Sequence, residues 1–328
     1  MIRFGVIGTN WITDRFIDGA SKVDTFKLSA VYSRTDEKAI EFAGKYQVEA
    51  TFTDIEAFAN SDKFDAVYIA SPTALHSEHA ITCMNGGKHV IVEKPFASNE
   101  QEVLQMIETA KKNEVVLMEA MKTTHVPNFK LIKDSLEKIG PVRRYVANFC
   151  QYSSRYDKYK EGVVMNAFKP ELSNGSLMDI GVYCLYPMVD LFGVPTSVKA
   201  TAYMLESGVD GEGTVTVDYP ELNGVAMFSK ITNSSLPSEI QGEKGSIVIG
   251  KFSDMEDVTI VYKDGTEEKL DAEQEENTMY YEAKSFIETI ENKEKENRIN
   301  TWEHSLETMR ILDQARKEIN LTFPADQK

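Results

Sequence analysis

Over the first 122 residues, short apolar runs alternate with segments whose apolar positions recur every three or four residues. The runs "IRFGVIG", "KLSAVYS", "FDAVYIAS", "HVIVEK" and "EVVLMEAM" are apolar on both faces, as strands of a parallel sheet covered on both sides must be. Helical patterns run from about Trp11 to Val23 and through "DEKAIEFAGKY", "TALHSEHAITCMNGG" and "NEQEVLQMIETAKKN". The Gly86-Gly87 pair supplies a helix stop. This alternation predicts βαβ units. Near residue 123 the period shortens. "VRRYVANFCQY", "TSVKATAYML", "GTVTVDY", "GVAMFSKITN", "GSIVIGKF" and "VTIVYKDGTEEKL" alternate in polarity, with Asp264-Gly265 as a hairpin turn. They predict a large, mostly antiparallel sheet with one covered face and one open face. Two helices, about Thr278 to Asn292 and Thr301 to Asn320, close the chain, the second N-capped by Thr301. The pattern divides the chain into an α/β domain over 1–122 and an α+β domain over 123–328, whose last helix is free to pack back on the first domain.

Composition narrows the class. A chain of 328 residues exceeds one ordinary core, in keeping with two domains. Apolar content of 42% with 27% charged residues is that of a soluble globular chain. No apolar run approaches the ~18 residues of a membrane helix, and a strand starting at Ile2 leaves no room for a signal peptide. Cys83, Cys150 and Cys184 are too few and scattered for a disulfide framework, which points to a reduced, cytoplasmic protein. The net charge of −16 argues against a nucleic-acid partner, which needs clustered Lys and Arg. From Asp254 to Glu296 fifteen acids face five bases, the pattern of a solvated face.

Several residues are candidates for chemistry. Gly8 follows a strand and precedes a helix, where N–H groups and the helix dipole favour a phosphate. Asn10 and Thr13 stand where a dinucleotide turn has small residues, Asn10 being tolerant of a left-handed backbone. The second strand ends in Ser33 and Arg34, with Asp36 beyond; a guanidinium there suits a ribose 2′-phosphate, so NADP is favoured over NAD. The fourth run ends in Glu93-Lys94-Pro95, at the carboxyl end of a strand, where ligands of parallel sheets bind. His76, His79 and Cys83 fall on one helix face but lack a fourth ligand, so no metal site is assigned. The long loop from Tyr152 to Asn174 mixes Tyr152, Tyr156 and Tyr159 with Arg155 and Lys158, which suits a polyhydroxylated ligand or a subunit contact equally.

"GVIGTNWIT", "AVYSRT", "VYIASPTALHSEHA", "HVIVEKP", "LMEAM" and "GSLMDIGVYCL" together resemble the glucose–fructose oxidoreductase/inositol dehydrogenase/MocA family, nearest its dihydrodiol dehydrogenase and glucose–fructose oxidoreductase branches. The resemblance implies an N-terminal Rossmann domain, an oligomerising C-terminal sheet that makes a homodimer or higher homo-oligomer, and catalysis in a cleft between domains. It implies a cofactor loop of Gly5, Gly8, Thr9, Asn10 and Trp11, and a nicotinamide border of Ser71, Pro72, Thr73 and His76. It also implies a Glu93-Lys94-Pro95 motif with a cis bond before the proline, and an Asp179/Tyr183 pair one helical turn apart. Asn174 replaces a glycine in the approach to Asp179 and is expected to adopt that glycine's turn conformation.

The chemistry that follows is NAD(P)-dependent hydride transfer to or from a sugar, sugar derivative, cyclic alcohol or dihydrodiol. Tyr183 would carry the proton. A phenol of pKa near ~10 needs a neighbouring ammonium such as Lys94 to act as a base. Asp179 would orient substrate or keep Lys94 charged. The alternative is a noncatalytic dinucleotide-binding regulator with the same fold.

Overall fold

The computed structural model describes residues 1–327. The chain divides into two compact units: Met1–Lys122 with Glu275–Leu306, and Thr123–Gln274 with the chain from Glu307.

In the first unit β1 (Ile2–Ile7), α1 (Trp11–Ala20), β2 (Phe26–Tyr32), α2 (Asp36–Lys45), β3 (Ala50–Phe52) and α3 (Ile55–Ala59) follow in order. Then come β4 (Ala66–Ile69), α4 (His76–Asn85), β5 (His89–Glu93), α5 (Glu100–Asn113) and β6 (Leu117–Ala120). The six strands are all parallel, in the order β3-β2-β1-β4-β5-β6. Their runs are apolar because both faces are covered: Phe4, Val6, Tyr68, Ile91 and Met118 on one face, and Val67, Ile69, Val90, Val92 and Leu117 on the other, are fully buried. Each such side chain contributes roughly 1.5–3 kcal/mol by leaving water. Strand order reverses between β1 and β4, and in open parallel sheets the crevice at such a reversal is where ligands bind.

The second unit contains α6 (Pro127–Ser135), β7 (Val142–Cys150), α7 (Ser154–Lys160), α8 (Val182–Phe192), β8 (Ser197–Met204) and β9 (Asp210–Asp218). These are followed by β10 (Asn223–Ser229), β11 (Ser238–Gly242), β12 (Gly245–Lys251), β13 (Glu256–Tyr262) and β14 (Glu267–Leu270). They form one eight-stranded sheet, β14-β13-β12-β11-β7-β10-β9-β8, antiparallel except where β7 runs parallel to β10. One face is covered by α8, where Tyr145 Oη donates to Cys184 O at 2.8 Å. Two helices follow, α9 (Met279–Glu291) and α10 (Trp302–Glu318). Asn277, just before α9, ties it to α1 by donating to Arg15 O and Asp18 Oδ2 at 2.8 and 2.7 Å. Thr301 caps α10, its Oγ1 accepting from His304 N at 3.1 Å.

Three differences from the sequence reading stand out. The strand β11 lies inside the sheet, yet it is short and carries Glu239 and Gln241, so its alternation was masked. The loop from Tyr152 to Asn174 holds α7 and two 3₁₀ turns, Asn166–Phe168 and Pro170–Leu172. The acidic stretch is not wholly a solvated face, because Glu282 is fully buried. Among the described residues, no helix is long and apolar enough to cross a membrane.

Candidate active site

In the first unit the candidate residues gather at the carboxyl ends of the parallel strands. Gly8 follows β1 with φ +103, and a Cβ there would lie 2.6 Å from Ala70 O, just past β4. Only glycine lets the two strand ends approach so closely. Asn10 is extended, with φ −105, and makes no use of the left-handed backbone that asparagine tolerates. It is instead the N-cap of α1: its Oδ1 accepts from Ile12 N at 2.9 Å and its Nδ2 donates to Ala70 O at 3.1 Å. Asn therefore stands in place of a second glycine because it does another task, fastening the turn to β4. Thr9 is half-buried and Trp11 is 59% exposed at the helix start. At the tip of β2, Ser33 is buried and its N–H donates to Phe52 O at 3.1 Å, while Arg34 is exposed.

Past β4, Ser71, Pro72 and Thr73 lead through a short 3₁₀ turn to His76 at the head of α4. The buried His76 ring lies between Pro95 O, 3.0 Å from Nδ1, and Ser71 O, 2.8 Å from Nε2. Burial pushes its pKa down to about 4, while the Ser71 and Pro95 carbonyls pull it up; in the neutral form the single ring N–H donates to one of the two carbonyls. His79 meets Ser71 Oγ at 3.0 Å, and burial pushes the Cys83 thiol up to about 12. These three side chains therefore have structural surroundings.

The Lys94–Pro95 peptide bond is cis. From Val90 to Asn99 every residue is buried except Lys94. Glu93 accepts a hydrogen bond at 2.6 Å from Tyr68 Oη, and the Tyr68 ring stacks on Phe16 at 3.8 Å. Sequence reasoning missed two carboxyls in this unit. Glu119 on β6 and Glu282 on α9 are 2% and 0% exposed. Burial and then the charge of Glu93 raise the Glu282 pKa well above the usual range. Burial raises Glu119 to about 8, against hydrogen bonds from Ser305 and Phe96 N. A glutamate inside the apolar run "EVVLMEAM" was the available signal.

In the second unit Asp179 lies in a π-helical turn, Leu177–Gly181, that leads directly into α8. Such turns cluster at functional sites. From Leu177 to Val189 every residue is buried except Asp179 and Tyr183. The expected pair is thus the only part of this segment that reaches its surface. The Tyr183 ring stands edge-on to Phe149 at 5.5 Å. Asn174 does not take the left-handed backbone expected of it. Ser173 does, with φ +54, while Asn174 Oδ1 accepts from Gly175 N at 3.0 Å. Gly175 has φ +145, and a Cβ there would collide with Asp210 Oδ1.

Asp179 has a partner that sequence reasoning did not name. Lys230, just past β10, donates to Asp179 Oδ2 at 2.5 Å. Its ammonium also lies 5.4 Å from the Phe168 ring centre. Phe168 in turn packs against Tyr156 and Tyr159, so the aromatic loop converges on the Asp179 side of the unit. The lysine was hidden because "GVAMFSKITN" reads as an ordinary strand ending in a charge.

Comparisons with known proteins identify the family and the fold. Residues 2–121 match the model of the Gfo/Idh/MocA oxidoreductase family with an NAD-binding Rossmann fold, and residues 131–248 match the Gfo/Idh/MocA C-terminal domain. The chain is 56% identical to scyllo-inositol 2-dehydrogenase (NADP(+)) IolU of Bacillus subtilis (strain 168) over 100% of both chains. It is 28% identical to trans-1,2-dihydrobenzene-1,2-diol dehydrogenase of Xenopus tropicalis over 98% of this chain and 99% of that one. Its fold superposes with TM-score 0.85 on KijD10, a 3-ketoreductase from Actinomadura kijaniata solved with NADP and TDP-benzene. Identity there is 22%, over 97% of this chain and 98% of the other.

Proposed function

We propose that this chain, which belongs to the Gfo/Idh/MocA oxidoreductase family, is an NADP-dependent dehydrogenase of cyclic polyols of the inositol kind. One observation carries the site assignment. In two long stretches of buried chain, the half-buried exceptions are a lysine in one and an Asp/Tyr pair in the other. Side chains with those chemistries hold substrate oxygens and move protons.

The first unit fits a dinucleotide. Gly8 turns the chain from β1 into the head of α1, and the helix N-terminus favours the charge of a pyrophosphate. In this reading Gly8, Thr9, Asn10 and Trp11 hold the pyrophosphate. Ser33 and Arg34 meet the 2′-phosphate, and Ser71, Pro72, Thr73, His76 and Glu93 border the nicotinamide. When bound, the cofactor supplies the hydride acceptor or donor. Lys94 Nζ donates a hydrogen bond to the reacting substrate oxygen. Tyr183 Oη takes the hydroxyl proton during oxidation and returns it during reduction, and Asp179 orients a substrate hydroxyl. The relatives are named dehydrogenases, and nothing in them favours the noncatalytic regulator.

Two finer points belong to the same reading. The open face of the large sheet, which carries Thr201, Tyr203 and Thr216, is the surface through which a homodimer or higher oligomer would form. Cys83, Cys150 and Cys184 are free thiols, in keeping with the cytoplasm. The test is a screen of inositols, dihydrodiols and sugars with NADP and NAD separately, followed by nicotinamide absorbance. Reduction of NADP by a cyclic polyol is expected; no reduction with any of them overturns the proposal.

A further inference from the structure

The ion pair between Lys230 and Asp179 is asymmetric. The lysine side chain is 2% exposed and the aspartate side chain 33%. A cation is sealed inside the unit and presents its anion at the surface. The surroundings hold it there. Lys230 N donates to Gly211 O at 2.9 Å, and Lys230 O accepts from Ser153 N at 2.9 Å. A second carboxylate, the fully buried Asp210 on β9, fixes the start of the same turn: its Oδ2 accepts from Leu177 N at 2.6 Å. Burial raises Asp210 to about 6, and the Lys230 charge is among the influences that oppose this rise.

Burying an ammonium costs several kcal/mol, and apolar side chains of similar volume commonly give equal or greater stability. Stability alone therefore does not explain a lysine here. The arrangement does explain an aspartate held in one place by a cation that itself lies over Phe168, the ring against which Tyr156 and Tyr159 pack. An ionised carboxylate accepts hydrogen bonds and donates none. It thus recognises a ligand rich in hydroxyl donors.

We propose that Lys230 is a positioning residue that fixes Asp179 as the acceptor for a substrate hydroxyl next to the one oxidised. Through Asp179 it sets the preference for polyols. The inference rests on the polyol reading above and deepens it.

A double-mutant cycle tests it, with Lys230→Met, Asp179→Asn and the two combined. The readouts are kcat and KM for scyllo-inositol and the Kd of NADPH. Each single variant is expected to lower kcat/KM by roughly 10- to 100-fold, the scale of one charge-assisted hydrogen bond. The double variant should lose no more than the worse single one, with NADPH affinity unchanged. Losses that multiply, or near-normal turnover by Lys230→Met, overturn the inference. Should Lys230→Met not fold, Lys230→Arg is expected to retain more activity than Lys230→Gln; equal activities overturn it.

A wild-type protein inactive on every polyol sinks the functional reading instead. The lysine is then judged by the ¹³C carboxyl resonance of Asp179, identified by its loss in Asp179→Asn. A resonance that moves in Lys230→Met supports the pair, and one that stays in place refutes it.

Discussion

Glu119→Gln should gain stability relative to its parent progressively as pH rises from about 5 to about 8. The Glu119 side chain is 2% exposed, and its Oε2 has no hydrogen-bond partner. Burial, and secondarily the charge of Glu93, raise its pKa from the ordinary 4.5 to about 8, although Ser305, Phe96 N and Lys94 pull the other way. Below 4.5 the carboxyl is protonated in both folded and unfolded chains, and no penalty exists. Between 4.5 and about 8 the unfolded chain has released this proton while the folded chain still holds it. Each pH unit in that window therefore removes about 1.4 kcal/mol of stability, on the order of 4–5 kcal/mol in all. Above about 8 both forms are ionised and the loss is complete.

Glutamine keeps the shape and has no proton to lose. It leaves an extra buried N–H₂, which costs roughly 1–3 kcal/mol at every pH, so the diagnostic is the slope and not the offset. Urea melts of both proteins at intervals from pH 5 to pH 9 give the difference directly. Parallel pH profiles would show that Glu119 is ionised in the folded protein at neutral pH, and would refute the argument.

Three further outcomes follow from the site. Lys94→Ala should cut turnover by roughly 10²-fold or more while NADPH still binds, as read from steady-state kinetics beside cofactor fluorescence; unchanged turnover removes Lys94 from the chemistry. Arg34→Ala should weaken NADP by roughly 10-fold or more and NAD far less, by titration with each cofactor, and equal losses would undo the 2′-phosphate assignment. Gly8→Ala places a methyl against Ala70 O on a backbone of φ +103, a strain of roughly 1–3 kcal/mol. A lowered Tm together with weakened NADPH binding is expected, and an unaltered Tm would count against the close approach.

Local patterning determined a good deal of this protein. Apolar runs on the two-faced strands and the 3.6-residue period of the helices specified the parallel unit, because burial on both faces leaves no polar alternation to mislead. Gly8 and Lys94 were marked by their places at the ends of apolar strands, whereas Asp179 and Tyr183 were marked by the family resemblance alone. What local pattern could not specify depended on distant partners. Asn10 is a cap fastened to Ala70, sixty residues on. Ser173, rather than Asn174, takes the left-handed turn, and Asn174 Oδ1 accepts from Gly175 N. Glu119 and Glu282 look like ordinary acids until the fold buries them. Lys230 acquires its meaning only when the end of β10 is laid beside the turn that carries Asp179, fifty-one positions earlier. Periodicity is a property of neighbours along the chain, whereas the charge state and aim of a buried side chain depend on what other strands bring within a few ångströms of it.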